Sequence, residues 1–283
     1  MPEIEVRGVT HYYEWIKTGA GENKPVMVFV HGWGGSGRYW ESTARAFSDT
    51  FDCLLYDMRG FGRSKLPQQP PELAYEMEDY ADDLAVLLDT LQLSRVYINA
   101  HSVGASVATM FLNRYSDRVE RAILTCSGIF EYEEKSFKAF HQFGGYVVKF
   151  RPRWLGWIPF VDKMFMARFL HRPLPRAVSR AFLDDFLVAD YAAALGTMLT
   201  SVSEKAAQVM PSEFAKLTVP TLLVAGERDI IIPAAMGRMA ASLSDKVEYV
   251  EIANTAHFPM LEDPVTYLRL VREFLGVPAK ANA

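Results

Sequence analysis

The 283-residue chain has only two cysteines, Cys53 and Cys126, each inside an apolar run. Two thiols could form one bridge, but a chain of this length buries enough core without it. Both therefore read as reduced packing residues. No run of about 18 apolar residues occurs, so no helical segment is expected to cross a bilayer. The opening Met-Pro-Glu-Ile-Glu-Val-Arg-Gly lacks an apolar core region and carries two early acids. It does not read as a secretory signal, and the expected location is the cytoplasm. Positive charge is not in excess either: 30 Lys and Arg against 34 Asp and Glu give a formal net charge of −4. That balance argues against a nucleic-acid partner. Internal repeats, low-complexity tracts, metal-ligand spacings and a nucleotide-binding glycine fingerprint are all missing. Neither a metal nor a cofactor is implied.

What is present is the composition of an ordinary globular protein, half apolar with 18 Gly and 15 Pro. The length suits one large domain, or one domain carrying an insertion. Short apolar, β-branched runs recur at Val26–Val30, Cys53–Tyr56, Val96–Ala100, Ala122–Cys126, Thr221–Ala225 and Val247–Ile252. Continuous runs of this kind fit strands buried on both faces of a parallel sheet. Helical patterns lie between them at Trp40–Phe47, Tyr75–Leu91, Gly104–Tyr115, Pro233–Leu243 and Val265–Leu275. The alternation predicts an α/β fold with helices on both faces. Ile4–Gly19 alternates more strictly and predicts an antiparallel hairpin at the sheet's start.

One interval breaks this rhythm. About 90 residues separate the strand near Cys126 from the strand near Thr221, far beyond a connection of about 2–6 residues. Helical patterns at Val161–Leu170 and Arg176–Leu195 mark it as an inserted cap. It follows a strand's C-terminal end, the side on which open α/β sheets bind ligands.

The chemistry concentrates where Val96-Tyr97-Ile98-Asn99-Ala100 runs into His101-Ser102-Val103-Gly104-Ala105. Small residues two before and two after a serine are what a sharp strand–turn–helix corner requires. The serine projects from the corner, and the helix N-terminus offers free N–H groups to developing negative charge. Ala100 takes the first glycine position of the G-x-S-x-G pattern. Four further segments sit at strand ends: His31-Gly32-Trp33-Gly34-Gly35 after the third, and Asp57-Met58-Arg59-Gly60-Phe61-Gly62-Arg63-Ser64 after the fourth. Gly226-Glu227-Arg228-Asp229 follows the seventh, and Asn254-Thr255-Ala256-His257-Phe258-Pro259 the eighth.

With these segments the chain resembles the α/β-hydrolase fold family, in its lipase- or esterase-type group with a Ser-Asp-His site and a helical cap. The resemblance spans most of the chain. It implies a mostly parallel eight-stranded sheet flanked by helices, with the cap between strands six and seven. Residues 1–129 and 215–283 would form the core, and 130–214 the cap and return helix. It implies Ser102 as nucleophile, His257 as base and Asp229 as the group that orients the imidazole. The backbone N–H groups of Trp33 and Val103 would form an oxyanion hole, each donor worth about 3–4 kcal/mol in kcat. Asp57 competes as triad acid, although its signature usually stabilises a turn. His31 reads as a structural turn residue.

A serine at the elbow argues against the epoxide- and halide-displacing relatives, which use aspartate there. Acyl chemistry through a serine ester remains, and a carboxylic-ester hydrolase for a hydrophobic substrate is the leading expectation. A C–C bond hydrolase of the aromatic meta-cleavage type and a non-enzymatic membrane or protein adaptor are the alternatives.

Aromatic residues are unevenly spread. Twelve of the forty residues from Phe130 to Phe169 are Phe, Tyr or Trp, a third of the chain's total. From Lys135 to Arg180 ten Lys or Arg face one acid, Asp162, so this segment is +9 and the remainder −13. Aromatic rings interleaved with cations mark proteins that lie on anionic membranes. The same composition also fits a cap whose rings line an apolar pocket beneath a solvated basic face, or one that recognises an anionic substrate head. Under the pocket and membrane readings the substrate is bulky and apolar, with His101, Phe130, Trp154 and Trp157 as candidate substrate-binding residues. A monomer or homodimer is expected.

Overall fold

The computed structural model describes residues 2–19 and 24–278. Its hairpin pairs β1 (Glu3–Val6) antiparallel with β2 (Val9–Ile16). The two turn residues, Arg7 and Gly8, both have positive φ, the twist a two-residue hairpin turn needs. The remaining strands are β3 (Val26–Val30), β4 (Asp52–Tyr56), β5 (Val96–His101), β6 (Val119–Thr125), β7 (Thr221–Gly226) and β8 (Val247–Ile252). They form one eight-stranded sheet in the order β1-β2-β4-β3-β5-β6-β7-β8. From β4 to β8 every neighbouring pair is parallel. All six strands expected beyond the hairpin are present. β6 begins three residues before Ala122, because Glu120 and Arg121 interrupt the apolar run that signals it.

Helices α1 (Glu41–Phe47), α2 (Met77–Thr90) and α3 (Val103–Arg114) precede the insertion. Between β6 and β7 lie α4 (Glu134–Lys149), α5 (Val161–Met166), α6 (Arg176–Val188), α7 (Tyr191–Ser201) and α8 (Glu204–Ala215). The chain closes with α9 (Ala234–Ala241), α10 (Pro259–Glu262) and α11 (Pro264–Leu275). Alternate strand residues face opposite sides of the sheet. Val28, Leu54 and Ile98 pack with Leu84 of α2, Phe111 of α3 and Phe214 of α8. Met27, Phe29 and Leu55 pack on the other side with Phe47 of α1 and Tyr267 and Val271 of α11.

Two expectations for the cap change. The pattern over Arg176–Leu195 is two helices, broken at Ala189–Asp190. The Asp190 amide donates to Gly60 O at 2.8 Å and its carboxylate accepts from Leu66 N at 2.7 Å, which draws the backbone out of the helix. The helix expected over Val161–Leu170 ends at Met166, and the Phe169 carbonyl accepts instead from the His257 amide at 2.9 Å.

Ala100 is fully buried in β5 between Val30 and Leu124. Gly104 leaves no room for a side chain: a Cβ there would lie 2.3 Å from His31 O. Gly104→Ala should therefore push α3 away from β3 and lower stability by about 1–3 kcal/mol, read from urea denaturation midpoints.

Candidate active site

Ser102 lies between β5 and α3 with φ 55° and ψ −124°, a strained conformation for a residue with a Cβ. Its amide donates to Thr125 O at 2.9 Å, and its carbonyl accepts from Ala105 N at 2.8 Å. These bonds hold the corner and leave the hydroxyl partly exposed above the sheet.

The Ser102 hydroxyl lies 3.0 Å from His257 Nε2, and His257 Nδ1 lies 2.7 Å from Asp229 Oδ2. The other carboxylate oxygen, Oδ1, accepts from Ile231 N at 2.8 Å and Ile232 N at 3.1 Å. With Nδ1–H donating to the carboxylate, Nε2 is left as the acceptor for the serine proton. Three residues 155 positions apart at the extremes thus form one hydrogen-bonded chain.

Beside the hydroxyl, the Trp33 and Val103 amides have no hydrogen-bond partner among the described residues. Val103 is the first residue of α3, where an amide has no partner within the helix. Gly32 permits the close approach of the two segments, since a Cβ there would lie 3.1 Å from the Ser102 Cβ. The Trp33 indole is fastened to the cap, donating to Ala194 O at 2.8 Å and lying 5.4 Å from the Phe186 ring.

His101 does not face a ligand, and the expectation that it binds substrate is corrected. It is 1% exposed, with both ring nitrogens engaged. Nε2 lies 2.7 Å from His257 O, which only accepts, so Nε2 carries the proton. Nδ1 then accepts from the Tyr39 hydroxyl at 2.9 Å, whose oxygen accepts from Gly32 N at 2.5 Å. This chain joins the glycine loop to the His257 backbone and requires a neutral imidazole. Burial, reinforced by the nearby His257, holds the His101 pKa well below that of an ordinary histidine.

Trp154 and Trp157 are 54% and 82% exposed, so their rings face solvent rather than an enclosed pocket. Phe130 is half-buried where the chain leaves β6 for the cap. The rings nearest the site are others: Phe169 lies 6.1 Å from His257 and Phe182 lies 5.2 Å from Phe258.

Asp57 has another task. Arg63 binds its carboxylate through Nε and Nη2 at 2.7 and 2.9 Å, and Gly37 N and Arg63 N donate at 2.8 Å each. Burial opposes the charge, but Arg63 overcomes it and holds the carboxyl below the usual range. His31 is likewise structural, accepting from Met58 N at 2.8 Å, with Nδ1 2.8 Å from Gly32 O.

One contributor escaped sequence reasoning. The buried Glu262 accepts from Ala256 N at 2.9 Å and Phe258 N at 3.3 Å with one oxygen. The other oxygen accepts from His171 N and Arg172 N, both at 2.7 Å. A single acid among the apolar residues Phe258–Leu261 is its only sequence signal.

A model of the α/β hydrolase fold matches residues 25–264. The chain belongs to that family. It is 27% identical over 269 residues to the non-heme chloroperoxidase of Kitasatospora aureofaciens, covering 91% of this chain and 92% of that one. Among solved structures it is similar to the enol-lactonase of Burkholderia xenovorans, with a TM-score of 0.80, 23% identity and coverage of 97% and 100%. A thermophilic esterase of Thermogutta terrifontis gives 0.77, 23% identity and 98% coverage of both chains. These likenesses extend over 91% or more of the chain.

Of the clusters of potential metal ligands among the described residues, His101, Cys126 and His257 bring donor atoms within 4.8 Å of one another. Both imidazoles are already hydrogen-bonded at each nitrogen, and burial raises the Cys126 thiol well above its ordinary pKa. A metal there would have to break the Ser102–His257–Asp229 chain. The donor set does not fit one.

Two outcomes are expected. A histidine with a lowered folded-state pKa binds fewer protons than the unfolded chain, so its contribution to stability is lost as pH falls below about 6.5. His101→Gln should reduce that acid loss by up to about 1.4 kcal/mol per pH unit, measured by urea unfolding at pH 7.5 and 5.5. Glu262→Gln turns amide hydrogens toward backbone donors, and should cost about 2–4 kcal/mol by the same assay.

Proposed function

We propose that the protein is a serine hydrolase that cleaves a carboxylic ester of a bulky, apolar substrate through an acyl-enzyme intermediate. The observation that carries this reading is the Ser102–His257–Asp229 hydrogen-bonded chain with two unpartnered amides beside it.

A serine hydroxyl is a weak nucleophile at neutral pH and needs an adjacent base whose tautomer is fixed. Ser102 Oγ attacks the ester carbon while its proton passes to His257 Nε2. Asp229 stabilises the resulting imidazolium through Nδ1–H. Negative charge developing on the carbonyl oxygen is met by the Trp33 and Val103 N–H groups, which are held in place before the reaction begins. Collapse expels the alcohol, protonated by His257, and leaves the acyl group on Ser102. Water then attacks this ester with His257 as base, releasing the acid and restoring the serine.

An apolar substrate is supported by the rings around the site, Phe169 beside His257 and Phe186 beside Trp33. The named esterase and enol-lactonase among the similar structures are in keeping with ester chemistry. A chloroperoxidase shares the family, so the reading rests on the serine chain rather than on membership.

The test is direct. Ser102→Ala should lower turnover of a p-nitrophenyl ester by about a millionfold and abolish labelling by a fluorophosphonate probe, with the melting temperature retained. Asp229→Asn should cost about 10⁴-fold in kcat. Retained activity or labelling in Ser102→Ala would overturn the proposal.

A further inference from the structure

We infer that the outer face of the cap, formed by α4 and the segment from Arg153 to Met164, docks on an anionic lipid bilayer. Helix α4 carries its apolar residues on one broad side, packed in part and exposed in part. Phe137 and Val148 are buried, and a Cβ on Gly144 would meet Met198 Sδ of α7 at 2.2 Å, so this part is packed. Phe140, Phe143 and Tyr146 form a stripe on the other part, within about 120° of one another at 100° per residue. All three are exposed, and Phe150 beyond the helix end is 78% exposed. Among the described residues nothing covers them.

The end of this stripe meets the next segment at an apolar hollow of about 310 Å³, whose lining includes Tyr146, Phe150, Leu155, Val161, Phe165 and Phe186. In that next segment Trp157, Phe160 and Met164 are exposed as well. Isolated exposed apolar residues are ordinary, whereas a contiguous set of this size marks an interaction surface.

Charge selects the partner. Lys149, Arg153 and Lys163 lie within these segments and Arg168 just beyond them, all exposed, and Lys163 Nζ sits 5.7 Å from the Phe160 ring centroid. Among the described residues no carboxylate lies within ion-pair distance of any of them. Elsewhere Arg59, Arg63 and Arg272 are each paired with an aspartate. Unpaired cations interleaved with bulky rings match a surface of anionic headgroups over hydrocarbon. The acidic remainder of a second copy would also attract these cations. Such a head-to-tail contact, however, leaves each copy's own cap free for the next, so it would build a ring or an open chain of copies in vesicle-free solution. The hollow offers the hydrocarbon of a bilayer lipid an apolar wall on the same face.

Docking does not depend on the hydrolytic reading, and cosedimentation with vesicles separates the two. Full-length protein should pellet with vesicles of phosphatidylcholine and phosphatidylglycerol and stay in solution with phosphatidylcholine alone. A triple variant, Lys149→Glu, Arg153→Glu and Lys163→Glu, should bind about tenfold or more weakly, since each cation near an anionic surface contributes to attraction. Phe143→Ser with Met164→Ser should show the same loss. Both variants alter exposed side chains, so melting temperature and turnover of a soluble ester should stay unchanged, and Ser102→Ala should bind as the wild type does. Wild type left in solution with the anionic vesicles would overturn the inference. So would equal binding by the charge-reversed variant, or a dimer in vesicle-free solution that Phe143→Ser makes monomeric.

Discussion

Everything proposed for the site depends on where the His257 imidazole stands, 3.0 Å from a hydroxyl on one element and 2.7 Å from a carboxylate on another. His257 lies in a loop after β8, outside the sheet's hydrogen-bond ladder. A loop holds a side chain to a few tenths of an ångström only if its backbone polar groups are tied elsewhere. Four ties do this. The His257 amide donates to Phe169 O, its carbonyl accepts from His101 Nε2, and the amides of Ala256 and Phe258 end on Glu262. Each is buried, so losing one leaves an unsatisfied group at a cost of about 1–3 kcal/mol.

The same ties make the cap part of the site. Phe169, His171 and Arg172 belong to the inserted segment, so His257 is held partly by the cap. The loop carrying Trp33 and Ser36 is joined to it as well. Trp33 bonds to Ala194 O, the Ser36 hydroxyl donates to Asp185 at 2.6 Å, and Arg38 pairs with the same carboxylate. Burial raises the Asp185 pKa despite these two partners, which shows how far from water this joint lies. The cap therefore meets the core through these polar bonds and through ring contacts such as Phe182 against Tyr39 and Phe258, and its exposed aromatic surface lies on other elements, α4 and the segment from Arg153 to Met164. Under the docking proposal, binding on that face would leave the candidate site undisturbed.

How much of this could be read beforehand follows from the physics of each element. Parallel strands are buried on both faces, so β3, β4, β5 and β7 announce themselves as continuous apolar runs. The elbow was legible because steric crowding leaves few residue types at positions 100 and 104. The cap was legible as an insertion from the length between the sixth and seventh strands, but the helices inside it were read only in part. Helix α4 was not among the expected helices although its apolar residues, packed and exposed alike, share one broad side; its run of rings reads first as composition rather than as a period. Helices α6 and α7 merged into one pattern, since the break comes from the bonds of Asp190 to Gly60 and Leu66, over 120 residues away. Tyr39 and the buried bonds of His101 were not legible for the same reason, since their partners lie 62 and 156 residues away, while Glu262 showed only as a lone acid after an apolar run.

The charge division has a consequence for how the cap is selected. An exposed ion pair is worth about 0–1 kcal/mol, so leaving four cations unpaired costs the fold little. Their mutual repulsion, together with several exposed rings, is still a net expense in stability and solubility, and nothing in the packing of the cap requires it. The buried face of α4 would pack equally well with polar residues at 140, 143 and 146. Arg151 shows the contrast within the same stretch, because its guanidinium is spent on the carbonyls of Phe186 and Ala189 and so has a structural task. Lys163 rests over the Phe160 ring, 5.7 Å from its centroid, so rings and cations of this face meet one another as well as solvent. Under the docking proposal that combination is what an anionic lipid surface would recognise and a neutral apolar pocket would not need.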